Sequence, residues 1–499
     1  MKIFGSYGVV NDVMKLLLAQ TSFGAQRWNN CTYPVGPNTS GTFANSDVTI
    51  QPLPYFNGCP VGGPTAGANF AGGVVPSVFT DKATGTQLIE NTNFRPEEPV
   101  APGVKPYRQH EYVAGVDYQI GRDWAFEARY DRRRLDHVIE DASLSAPCCF
   151  EFYTIVNPGQ GVDKTLDGYA NFLRSLGAGY GPGVPAFDPT KGFDPTGICA
   201  NGGCPNNPQA VRNYDGLEFR LTKSMSHGFA GMFSYTWSSL WGNYTGLTTT
   251  DQSDGGTTGR NSPDTSRAFD EPFYYFSYKG TSSNGPLPTD RPSTLKGNVY
   301  YQLPWWSKTQ TTTLGLFQVA YQGSPVSSYV DLGLGCCSEP IEATYAWGRG
   351  NFVNATPDPT TGLITLGGVS AKRTPWYTQT DLNLSHAIKV NKNNEAQVLT
   401  FNVTATNLFN QRAVVSYGEG LNSWYYGDAL FQLGLFAPGG AAYYKQVETG
   451  YNPQAVLNSS QTTCNGLGFA CPVTMNSRYG QPNEWQFSRS MRFGVAFTF

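Results

Sequence analysis

Ten cysteines and four histidines are the residues of this 499-residue chain best suited to hold a metal or to attack a substrate, so their spacing is weighed first. Cys31, Cys59, Cys148, Cys149, Cys199, Cys204, Cys336, Cys337, Cys464 and Cys471 all lie in connections without strand periodicity. An even count confined to such connections fits disulfides formed in an oxidising compartment. Cys199 with Cys204, and Cys464 with Cys471, are the natural local pairs, and the pairing of the others stays open. Zinc is the competing chemistry, but no histidine flanks either pair and neither spacing fits a finger or ribbon. His110, His137, His227 and His386 belong to no HExxH helix, and the chain has no GxSxG elbow and no Walker loop. Gly177, Gly179, Gly181 and Gly183 superficially resemble a phosphate loop, yet they sit in a Pro-containing stretch with neither strand nor helix beside them. Asp251, Asp254, Asp264, Asp270 and Glu271 offer hard oxygens for a cation, but their spacing misses the EF-hand pattern and a solvated loop accounts for them. Asp136-His137 is the one hint of acid–base work. The sequence therefore implies no catalysis and no cofactor.

The elements that would have to position such residues are strands. At the C-terminal end, Met491, Phe493, Val495, Phe497 and Phe499 alternate with Arg492, Gly494, Ala496 and Thr498. A period of two is a strand with one large apolar face and one small or polar face. The same pattern recurs in segments of about ten residues, the span of a transmembrane β-strand. Charged residues are only 14% of the chain, matched by 14% aromatic residues, against about 25% charged in soluble proteins. No apolar run of about 18 residues offers a membrane helix, and mean hydropathy is −0.34. A net charge of −3 gives no basic footprint, which argues against nucleic acid as a partner.

Taken in order, Ile3, Tyr7 and Val9 share a face of an opening strand, and residues 11–110 read as irregular. Tyr112, Ala114, Val116, Tyr118 and Ile120 pair through a turn at Gly121-Arg122 with Trp124, Phe126, Ala128 and Tyr130. Three more hairpins follow. The first joins Leu217, Phe219 and Leu221 to Phe229, Phe233, Tyr235 and Trp237. The second joins Leu295, Val299, Tyr301 and Leu303 to Phe317, Val319 and Tyr321. The third joins Leu382, Leu384, Ile388 and Val390 to Leu399, Phe401, Val403 and Ala405. With the first and last strands this predicts an all-β, antiparallel transmembrane barrel, here a partial barrel of about ten strands. Short turns alternate with long connections, the asymmetry of periplasmic turns and extracellular loops. Phe126, Phe233, Phe401, Phe497 and Phe499 are expected to face lipid. Trp124, Trp237, Trp305, Trp306 and Trp376 are expected at the headgroups, where an indole buries its ring and keeps its N–H wet. Asp117, Glu127, Arg129 and Lys296 are expected to line the lumen. His386 falls on the apolar side, with no functional account.

The stretches KIFGSYGVVNDVMKLLLAQTSFGAQRW (2 to 28), NYDGLEFRLTKSMSHGFAGMFSYTWS (213 to 238), TDRPSTLKGNVYYQLPWW (289 to 306), TDLNLSHAIKV (380 to 390), LTFNVTATNLFNQR (399 to 412) and RSMRFGVAFTF (489 to 499) resemble the C-terminal half of TonB-dependent outer-membrane receptors, and most closely the large Oar-like transporters. That resemblance implies a bacterial outer-membrane barrel that imports a large or scarce solute. It also implies a lumen-filling plug, energy delivered by the TonB complex, and a terminal aromatic, Phe499, read by the barrel-assembly machinery. Signal peptide, plug and TonB box are not recognisable, so the chain is expected to be a portion of the parent barrel. An exported adhesin or surface-binding protein and a complete ten-stranded surface enzyme are the alternatives.

Overall fold

The computed structural model describes residues 1–11, 103–143, 153–159, 208–245, 277–303, 305, 309–331, 343–360, 364–391, 394–422, 450, 452–457 and 474–499, with short strand segments between 27 and 91. Ten strands follow one another through a single antiparallel sheet: β1 (Lys2–Asn11), β2 (Arg108–Ile120), β3 (Trp124–His137), β4 (Arg212–Ser226), β5 (Phe229–Gly242), β6 (Ser293–Leu303), β7 (Gln310–Tyr321), β8 (Tyr377–Asn391), β9 (Asn394–Thr406) and β10 (Ser490–Thr498). A further short strand, Gly285–Pro286, pairs with the end of β5. The sheet is open, with β1 laddered to β2 and β10 to β9. Among the described residues no helix is long and apolar enough to cross a membrane.

Turn chemistry sets the hairpins. His227 and Gly228 both adopt left-handed φ, 53° and 75°, which a two-residue turn needs if its twist is to match the strands it joins. His227 is thereby a turn residue of the β4–β5 hairpin. Gly121, at φ 65°, opens the turn between β2 and β3. At the opposite end of the sheet the connections are long, which reproduces the short and long alternation read from the sequence.

Residues directly opposed in an antiparallel ladder share a face, so the registers can be followed from strand to strand. One row runs Ile3, Val116, Ala128, Phe219, Tyr235, Leu295, Ala320. Further round, Leu384, Val403 and Phe493 lie abreast, beside His386, Phe401 and Val495. The other face carries Lys2, Asp117, Glu127, Arg220, Ser234, Lys296, Val319 and Gln379 in a single row. Thus the two sides are segregated by chemistry across the sheet.

One hairpin departs from the sequence reading. Phe317, Val319 and Tyr321 stand opposite Asn298, Lys296 and Thr294, on the polar face, while Leu314 and Leu316 hold the apolar positions of β7. The register of β7 against β6 decides this, because a one-residue slip exchanges every side chain between faces. The displaced rings pack together instead: Tyr300 meets Phe317 edge to face at 5.4 Å, and Tyr321 stacks on Tyr377 at 4.7 Å.

Burial is inverted relative to a soluble sheet. Ile3, Phe233 and Phe493 on the apolar face are 72%, 46% and 76% exposed. The fully buried apolar residues lie mainly in the long connections: Val138, Val156, Leu287, Val326, Tyr329, Val330, Ala346, Val353, Ile364 and Leu421. Those connections, which carry no strand periodicity in the sequence, are nonetheless ordered in part. They contain paired strands, Asn351–Pro357 with Ile364–Ala371, Tyr329–Asp331 with Ala343–Tyr345, and Val414–Tyr417 with Pro482–Trp485. A contiguous sheet face this apolar and this open to its surroundings is unstable in water. In hydrocarbon it is the favourable arrangement, since the backbone groups between neighbouring strands are already bonded to one another.

Candidate lumen wall and extracellular cap

The polar face of β2 to β4 is a grid of alternating charge. Arg129 lies directly opposite Glu218, with Nη2 to Oε2 at 2.8 Å, and Arg220 pairs with Glu127 one position along. Arg133 bridges Asp131 at 2.8 Å and Glu111 at 3.5 Å, and its guanidinium lies over the Tyr214 ring. Near the short-turn end a pocket of about 400 Å³ is lined in part by Lys2, Asp117, Glu127 and Arg220. Asp117, Glu127, Arg129 and Lys296 all sit on this face, as the period of two predicted. Their partners Glu218 and Arg220 were equally readable from the same alternation in β4 and were not singled out.

At the long-connection end the chain builds a second layer with its own core. Tyr329 is central: its N–H donates to Glu419 O at 2.9 Å and its carbonyl accepts from Leu421 N–H at 2.8 Å. The adjoining Ser328 N–H donates to Asn351 O at 3.0 Å, and Ala346 N–H to Ser328 O at 2.7 Å. Tyr479 stacks on Phe352 at 5.0 Å while its hydroxyl donates to Val353 O and meets Ser328 Oγ. Burial pushes the Tyr479 phenol up to about 12. Burial likewise raises the Glu419 carboxyl to about 7, against the opposing effects of a Ser327 N–H donated at 2.9 Å and of nearby Lys372. Lys372 is lowered by its own desolvation, its ammonium 3.8 Å from the Phe352 centroid and 4.3 Å from that of Tyr417. No periodicity marks these residues in the sequence because they meet across roughly 150 positions of chain, as Ser328 and Tyr479 do.

Two basic residues fasten the cap to the sheet. Arg373 pairs with buried Asp290, whose carboxylate also accepts the Leu240 N–H at 2.7 Å. Arg349, fully enclosed, donates to Ser283 O at 3.1 Å and Asn243 O at 3.3 Å, and burial lowers it to about 9.

Of the aromatic positions, Phe126, Phe233, Phe401 and Phe497 are on the apolar face, and Phe499 stacks on Phe497 at 5.9 Å beyond the end of β10. Trp124 and Trp237 lie on the same face near opposite ends of their strands, and Trp376 immediately precedes β8. Trp305 gives His386 its explanation. The indole N–H donates to Thr312 Oγ1 at 2.6 Å, and Thr312 Oγ1 is 2.7 Å from His386 Nδ1, so the ring is hydrogen-bonded at the short-turn end of the apolar face. Trp306 lies outside the described residues. So do Cys199, Cys204, Cys464 and Cys471 and the acidic stretch from Asp251 to Glu271. Asp136 and His137 are 3.0 Å apart, but Asp136 is shared with Arg108 and His110 in an ion cluster.

A ten-stranded up-and-down sheet with an exposed apolar face and a charged opposite face, capped at one end, defines a transmembrane β-barrel protein of the bacterial outer membrane. Residues 5–335 match the family model described as outer membrane beta barrel domain, and the chain belongs to that family. It is 23% identical over 403 residues, 80% of its length, to the TonB-dependent transporter Oar of Myxococcus xanthus, and it spans 29% of that relative's length. No solved structure matches the chain.

Proposed function

We propose that this chain is a portion of the barrel of an energy-coupled receptor that binds a large or scarce solute at the cell surface and admits it to the periplasm without covalent change. The observation that carries the reading is the row from Lys2 to Gln379, polar at every position but Val319, set behind an apolar face that suits lipid. A wall of that kind lines a wet interior, and the similarity to a transporter supports its use as a route. In this reading Phe126, Phe233, Phe401 and Phe497 face hydrocarbon, with Trp124, Trp237, Trp305 and Trp376 at the headgroups. Asp117, Glu127, Arg129 and Lys296 line the lumen, where they meet either solute or a filling segment. Energy would come from the TonB complex through a part of the parent molecule outside this chain. The assembly machinery would read Phe499.

The test is comparative uptake. Cells with and without the gene are given a complex solute mixture, and depletion is followed with and without a protonophore. A solute whose depletion requires both the gene and the proton gradient supports the reading. Gene-dependent retention that the protonophore leaves unchanged, with no solute entering the cell, would indicate surface binding and sink the proposal.

A further inference from the structure

The apolar face of the first four strands becomes polar toward the cap. Ala114, Tyr130 and Leu217 lie abreast on that face, the next row toward the cap is Tyr7, Tyr112, Arg132 and Asp215, the one after it is Val9, His110, Arg134 and Asn213, and Arg108 follows on β2. Three guanidiniums thus stand where the sheet leaves the apolar band. From Trp124 to Arg134 the strand advances roughly 34 Å at about 3.4 Å per residue. At a tilt of about 40° that is roughly 26 Å of height, close to the apolar band of an outer-membrane barrel. The arginines consequently sit at the outer headgroup layer.

Their carboxylate partners do not saturate them. Asp136 is engaged by Arg108, with His137 Nδ1 at 3.0 Å and His110 Nε2 at 3.5 Å. Asp215 accepts from Arg134 and from the Tyr130 hydroxyl, which leaves Arg132 Nε 3.9 Å away. Among the described residues, three arginines against two aspartates leave one positive charge before either histidine is protonated. The side chains of Arg108 and Arg132 are 46% and 48% exposed on the outward side. A planar guanidinium with open N–H donors matches a phosphate better than any other headgroup chemistry.

We infer that Arg108, Arg132 and Arg134 form an outward-facing site for the phosphate of a phosphorylated lipid in the outer leaflet. The inference rests on the outward orientation of the apolar face and not on what passes through the lumen, so a negative uptake result leaves it standing. Asp136 and Asp215 hold two of the guanidiniums in place, and Arg132 supplies the donors that a phosphate oxygen would take.

The experiment uses the parent protein purified in mild detergent and titrated, by native mass spectrometry, with diphosphorylated lipid A, its dephosphorylated form and inorganic phosphate. Arg132→Gln tests the site with the Arg108–Asp136 pair intact, R108Q/R132Q removes both exposed donors, and Arg122→Gln, in the exposed turn at the opposite end of the same hairpin, is the control. Expected is a loss of lipid A affinity of about threefold in the single variant and tenfold or more in the double, with Arg122→Gln unchanged. Resistance of a heated and an unheated sample to unfolding in detergent gels confirms that each variant is folded. Equal lipid A binding by the double variant and the wild type would overturn the inference, as would equal affinity for the dephosphorylated lipid. Displacement by inorganic phosphate at the lipid's own concentration would also overturn it, by assigning the site to a free anion.

Discussion

Arg129 and Glu218 face each other across the β3–β4 ladder, 2.8 Å apart and on the polar side of the sheet. Their side chains are 38% and 24% exposed, so the attraction is partly screened and belongs with surface pairs. A double-mutant cycle of Arg129→Gln and Glu218→Gln should return a coupling of about 0.2–1 kcal/mol in denaturant unfolding. A coupling of several kcal/mol would mean that this wall is dry, contrary to a water-lined lumen.

Phe219 lies midway along the apolar face, abreast of Ala128 and Tyr235 and stacked on Phe126 at 6.4 Å. Phe219→Arg should cost about 2–4 kcal/mol in a reconstituted bilayer. Phe126→Arg, only one outward position from Trp124, should cost less because its guanidinium reaches the interface. Equal and negligible costs at the two sites would remove lipid from this face.

The alternation that made these faces legible is local, and so the sequence sufficed for all ten strands and for the side on which Glu127, Arg129 and Lys296 emerge. Where register against a neighbouring strand decides phase, local alternation was insufficient. Phe317, Val319 and Tyr321 look like an apolar stripe, yet register against β6 turns them toward Asn298, Lys296 and Thr294. The cap was illegible for another reason. Tyr329 finds its backbone partners at Glu419 and Leu421, and such distant pairings leave no periodic trace. His386 could have been understood only with Thr312 and Trp305 beside it.

Glu419 gives the cap a pH dependence of definite sign. Its carboxyl is held at about 7 when folded, mainly by burial, against an ordinary value of 4.5. An acid with a raised folded pKa favours the fold fully below the unfolded value, and that contribution is lost as pH rises through 7. Lys372, Tyr479 and the Ser327 N–H are the groups facing it, and the lysine's charge limits the loss. Amide exchange at Tyr329 and Leu421, corrected for intrinsic rates, should therefore be slower at about pH 5 than at about pH 8. Glu419→Gln should flatten the difference, and an unchanged pH profile in that variant would exclude the carboxyl as its source.

Gly323 marks where the chain leaves β7 for the cap. A Cβ there would come within 1.9 Å of Thr374 O, while Ser324 and Thr374 are tied by N–H bonds to Thr374 Oγ1 and Ser324 O, both 2.9 Å. Thr374 backbone atoms block the space, together with its Oγ1, which the Ser324 N–H holds in place. Gly323→Ala should cost about 1–3 kcal/mol by overpacking, read as earlier cap unfolding in limited proteolysis, with the strands below retaining their protection.

The Thr312 hydroxyl has two duties at the short-turn end of the apolar face, accepting from Trp305 Nε1 and bonding His386 Nδ1. With the neutral His386 carrying its proton on Nε2, the hydroxyl donates to Nδ1 while it accepts from the indole, and the Nε2–H is left to headgroup water. Thr312→Val keeps the shape but strips both partners of their bond, and orphaned groups at a buried site cost about 1–3 kcal/mol. Thr312→Ser keeps the hydroxyl and loses one methyl, for about 1 kcal/mol or less. Unfolding in lipid should rank wild type, Ser, then Val. If Val proved as stable as Ser, His386 and Trp305 would be drawing their hydrogen bonds from headgroup water, and the hydroxyl would be dispensable to the girdle.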